Sequence, residues 1–111
     1  MKTKVGAKAA PLLKDALTKA GNAPKLSRKE LYALESSTAY MSALRFSKFR
    51  EKTTGMTRDQ IAAPYKEMVA KILVENKLLL GLYEKHCGKD DAVSVKMRTS
   101  VQNLERKAAS M

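Results

Sequence analysis

The chain reads as an all-α protein, a compact bundle of about four helices, and three observations carry that reading. Ala, Leu, Lys, Met and Glu dominate the composition, with only 3 prolines and 5 glycines among 111 residues, which favours helix over every alternative. β-branched runs of strand length are absent. Helix start and stop signals recur along the chain, two of them in full. At 12.3 kDa the molecule is large enough for one domain with a single modest core.

The first helix is expected over about 10–20. Pro11 suits a first-turn position, Gly21-Asn22 suits an end, and Leu12, Leu13, Ala16, Leu17 and Ala20 follow helical spacing. Residues 1–9, with three lysines and no acid, read as a flexible basic N-terminal tail. The linker "GNAPKL" breaks the chain before a second helix over 28–53. There Ser27 can cap, Glu30 stands three residues on, and Leu26 and Leu31 hold the flanking staple positions. Gly55 marks its end.

The third helix, 58–87, opens in the same way, with Thr57 as cap, Gln60 three residues on, and Met56 and Ile61 as the staple pair. Pro64 lies too deep for a first-turn proline, so a kink or a restart is expected near Ala63. Tyr65, Met68, Ile72, Leu79 and Tyr83 line one face, flanked by Val69, Leu73 and Leu80. From Leu78 the helix is apolar almost all round, which marks the buried centre of the fold, with Gly81 expected at a close helix crossing. Asn76 on that face either fixes register or bonds a neighbouring carbonyl. Glu67, Lys71 and Glu75, spaced by four, read as surface ion pairs. The last helix, 91–109, begins at Asp90 or Asp91 and carries Val93, Met97, Val101, Leu104 and Ala108 on one stripe.

The net charge is +11. Residues 1–55 hold 12 basic and 4 acidic side chains, a balance of +8, while residues 56–111 hold 10 and 7, a balance of +3. Such an excess in one half implies a polyanionic partner, which means nucleic acid, an anionic membrane face or an acidic protein. The longest apolar run, Leu78 to Tyr83, is too short to span a bilayer. The lone Cys87 excludes an internal disulfide and fits a reducing, cytoplasmic setting. A mitochondrial address is the alternative, against which the lack of arginine near the N-terminus argues.

"RFSKFREK", residues 45–52, holds both phenylalanines of the chain among cations. Leu31, Leu34, Thr38 and Met41 form one seam of the second helix, and its next positions are Arg45, Lys48 and Lys52. A face that begins apolar ends basic. Unpaired cations cannot be buried in a row, so Arg45, Lys48, Arg50 and Lys52 should each reach solvent or an anion. Lys25, Arg28 and Lys29 add positive charge at the other end, where the helix dipole disfavours it and helix stability does not explain it. These seven residues form the expected nucleic-acid contact set, with Phe46 and Phe49 either stacking on bases or serving as core.

No phosphate-cradling glycine loop, nucleophile elbow or metal motif is present. His86 and Cys87 have no second histidine or cysteine to complete a metal site, and Cys87 at a helix C-terminus is a poor nucleophile. An enzyme, a cofactor, a metal and a small-molecule substrate are therefore not expected. The expected function is a small basic subunit or adaptor of a nucleoprotein or ribonucleoprotein assembly, binding RNA or DNA phosphates. A protein-only subunit or inhibitor docked on an acidic protein surface is the alternative, to be favoured by an exposed apolar patch around Leu78–Tyr83. A helix-turn-helix regulator built on the "TTGMT" connection ranks third, because Glu67, Glu75 and Glu84 would face the DNA.

Overall fold

A computed structural model describes residues 9–110, with side chains for 13–110. It comprises α1 (Ala9–Gly21), α2 (Arg28–Lys52), α3 (Arg58–Cys87) and α4 (Ala92–Ser110), with no strand among the described residues. All four expected helices form, each within about two residues of its expected bounds, the margin at which helix ends are defined. Apart from Ala9, which opens α1, the expected N-terminal tail lies outside the described residues.

Both capping boxes are complete. Ser27 Oγ accepts from the Glu30 amide at 3.2 Å while Glu30 Oε1 accepts from the Ser27 amide at 2.9 Å. Thr57 and Gln60 repeat the pair at 3.2 and 2.9 Å. Gly55 (φ 84°) and Gly88 (φ 96°) supply the left-handed backbone that ends α2 and α3, a conformation in which a Cβ is strained. Asp91 caps α4 by accepting the Val93 amide at 3.0 Å.

Of the kink or restart expected near Ala63, the restart does not occur: the helix runs unbroken from Arg58 to Cys87 with Pro64 inside it, as the expected bounds 58–87 require. The ring forfeits one i→i−4 hydrogen bond, and Pro64 is exposed, so water can serve the Gln60 carbonyl. Gly81 is no crossing point. A Cβ there would meet nothing within 4 Å, and the residue is exposed.

α3 is the central element. α1, α2 and α4 all pack on it and α1 also packs on α2, but no Cα of α4 comes within 8 Å of α1 or α2. The result is a slab of 47 × 38 × 18 Å. Its core joins Leu13, Leu17 and Ala20 of α1 to Leu31 and Met41 of α2 and Leu79, Leu82 and Tyr83 of α3. α1 is therefore an integral part of the core. The Leu78–Tyr83 run is largely buried, with Leu79, Leu82 and Tyr83 each under 4% exposed.

Several polar groups in the interior are partnered through their own helices or across the core, whereas Ser94 Oγ and His86 Nε2 are buried without a hydrogen-bond partner. Thr38 donates to the Leu34 carbonyl at 2.8 Å. Asn76 donates to the Ile72 carbonyl at 2.8 Å and reaches Ser42 Oγ at 3.4 Å, so it bonds locally and touches α2 at once. The Tyr83 hydroxyl donates to Glu35 at 2.8 Å. Burial pushes the Tyr83 phenol well above its ordinary value, and the Glu35 bond adds to that.

Candidate nucleic-acid interface

The seam of α2 stays on the core side well past its last apolar residue. Leu31, Thr38 and Met41 are buried, and Arg45 follows them inward with a side chain only 16% exposed. Its guanidinium forms a fork with the Glu75 carboxylate of α3, Nη1 on Oε1 and Nη2 on Oε2, the latter at 2.9 Å. The anion that Arg45 reaches is thus internal. Glu75, expected as a surface partner of Lys71, is in fact 3% exposed. A buried carboxylate would be costly alone, and a bidentate arginine is the group best shaped to offset that.

Beyond Arg45 the seam emerges into solvent. Lys48, Arg50 and Lys52 are exposed and make no ion pair among the described residues. Arg45, Lys48, Phe49 and Lys52 of α2 line an open groove of about 210 Å³ with Met68 and Lys71 of α3. Thr53 and Thr54 close the helix end by donating to the Phe49 and Arg50 carbonyls at 2.8 and 3.1 Å. This satisfies two of the last-turn carbonyl oxygens of α2.

The phenylalanines are half-buried, between the two roles expected of them. Phe49 packs edge-on against Tyr65, with centroids 5.7 Å apart and planes at 63°, and borders the groove. Phe46 faces the α4 side, where the Lys107 ammonium sits 5.6 Å from its ring centre.

At the other end of α2 the cations separate. Lys25 and Lys29 are exposed and unpaired among the described residues. Arg28 instead pairs with both carboxylate oxygens of Asp91, the cap of α4, and so joins two helices whose backbones do not touch. The Arg28 hydrogen bond holds the Asp91 carboxyl below the usual aspartate range, and Asp91 in turn raises the guanidinium. With its folded pKa depressed, Asp91 adds stability that is present above the unfolded value and lost as pH falls through the folded one. Asp91→Asn should therefore flatten the acid limb of a stability–pH curve, and an unchanged limb in urea titrations below pH ~4 would refute the coupling.

Lys71 was missed as a site residue, because its spacing with Glu67 and Glu75 reads as an ordinary i,i+4 surface pair. Glu75 and Glu84 had been counted as exposed acids. Glu75 is in the core, and Glu84 is half-buried with Arg98 at 2.8 Å, so of the three only Glu67 is fully solvent-facing. Cys87 and His86 are half-buried, and no three His, Cys, Asp or Glu side chains converge as metal ligands among the described residues. No described helix is long and apolar enough to cross a membrane. Compared with protein-family models, curated proteins and solved structures, the chain finds no match.

Proposed function

We propose that this protein is a non-enzymatic basic helical subunit or adaptor of a nucleoprotein assembly, and that it contacts nucleic-acid phosphates through the basic end of α2. One observation carries the reading: Lys48, Lys52 and Lys71 share an open groove, and no carboxylate neutralises them within the described residues. Elsewhere the chain pairs cations that lie between helices, as Arg28, Arg45 and Arg98 show. Lysines left open together in a protein of charge +11 are suited to an external polyanion. Arg45 is the fixed wall of that groove, its own charge already offset by Glu75.

An exposed Leu78–Tyr83 patch would have supported the alternative of a purely protein partner, and Leu79, Leu82 and Tyr83 of that run lie in the core. An acidic protein remains the competing polyanion and is distinguished by titration. Binding of labelled RNA and duplex DNA should weaken steeply with salt. In Lys48→Ala/Lys52→Ala/Lys71→Ala the log–log salt slope should fall by about 2 to 3, close to one unit per lost phosphate contact. An unaltered slope, or wild-type protein that ignores both nucleic acids at near-physiological salt, would rule the reading out. The variant spares Arg45, whose removal would perturb the fold itself.

A further inference from the structure

The outer face of α2 differs from the rest of this highly charged surface. At 3.6 residues per turn, Lys29, Tyr32, Ser36, Tyr40, Ala43 and Arg50 fall opposite Leu31, Thr38 and Met41, and all six are exposed. Between Lys29 and Arg50 that face bears no charge, because Glu35 turns in to Tyr83 and Arg45 turns in to Glu75. Tyr32 and Tyr40 are 66% and 65% exposed, the most exposed large side chains of apolar character in the described structure. They stand eight residues apart, a rise of about 12 Å with a rotation of about 80° around the helix axis. Lys29 brackets them at one end and Arg50 at the other, neither of the two in an ion pair among the described residues.

We propose that this face is a stacking platform for single-stranded nucleic acid, with Tyr32 and Tyr40 each receiving a base and Lys29 and Arg50 the flanking phosphates. It rests on the phosphate-contact reading above and adds the form of the strand. Aromatic rings on a rigid helix, with cations at both ends and no acid between, provide what an unpaired strand offers partners for: π-faces and phosphates. A duplex keeps its base faces stacked inside and cannot use the rings. A second copy of the chain is the poorer occupant, since each molecule carries +11 and brings the same cations to the contact.

The test uses the full-length chain with a labelled mixed-sequence RNA strand and the RNA duplex of the same length. Tyr32→Ala/Tyr40→Ala should weaken single-strand binding at least about tenfold, from the usual worth of a base–aromatic stack, and leave duplex binding unchanged. Tyr32→Phe/Tyr40→Phe, which keeps the rings, should retain wild-type affinity, and thermal unfolding should show both variants folded. If the alanine variant binds single strands like wild type while Lys48→Ala/Lys52→Ala/Lys71→Ala loses them, the platform fails and the basic groove stands. If wild type binds neither nucleic acid, both readings fail. Self-association of wild type in sedimentation that the alanine variant abolishes would assign the face to a second copy and overturn the proposal.

Discussion

Arg45→Ala should cost about 3 to 5 kcal/mol of folding stability, a large share of what a domain this size possesses. The loss comes less from the arginine than from what it abandons: Glu75, with a side chain 4% exposed and no other cation in the described structure to pair with it. The carboxylate must then be buried unpaired, take up a proton, or drag α3 open. Glu75→Gln should be milder, because Arg45 at 16% exposure can swing its head to the groove and water. Replacing both members by apolar residues of similar size, as in Arg45→Met/Glu75→Leu, should recover most of the stability, since a buried pair repays little more than its own desolvation. Urea unfolding of the single and double variants forms a closed cycle. A loss under about 1 kcal/mol for Arg45→Ala would show that the fork is solvated and incidental.

Leu17→Ala should be the second large effect, at about 2 to 5 kcal/mol. Leu17 is 1% exposed and sits in the core with Leu79 and Leu82, so truncation leaves a void bounded by α1 and α3. Each kcal/mol should lower the melting temperature by several degrees in a chain of this length. Ala16→Ser, one position earlier and exposed, is the control, and should move stability by less than about 0.5 kcal/mol. A melting temperature unmoved by Leu17→Ala would mean that α1 contributes nothing to the cooperative unit, the opposite of what its buried positions require.

The helices were legible in the sequence because their signals are local. Ser27 with Glu30 and Thr57 with Gln60 act within one turn, and Gly55 and Gly88 end helices by a property of their own backbone. The partner of Arg45 was not legible. Glu75 lies 30 residues away, and only the mutual rotation of α2 and α3 decides which of the α3 acids meets the seam. Spacing by four from Lys71 suggested a surface role for Glu75, yet the same helix turn faces the core four residues later at Leu79. Gly81 misled for the converse reason, since a small residue in an apolar run suggests contact where the structure has open space. Of the candidate site, the run of cations after Arg45 could be read directly. Lys71 could not, because it joins the groove from another helix, and Tyr32 and Tyr40 lie on the face opposite the seam, where a tyrosine's exposure is set by packing and not by spacing.

The backbone of α4 comes close to that of α3 alone, which has a bearing on how the molecule comes apart. α1, α2 and α3 touch one another in a closed ring of contacts, and losing any one of them strips the other two. α4 has a single close backbone neighbour and is tethered in addition by Asp91 to Arg28, Lys107 to Phe46, Glu105 to Lys77 and Arg98 to Glu84. Its release exposes one side of α3 and leaves the ring intact, so opening of residues 92–110 is a sub-global event with its own, lower free energy. The amides of α4 should then exchange with solvent ahead of those of α3, an order that hydrogen–deuterium exchange would read directly.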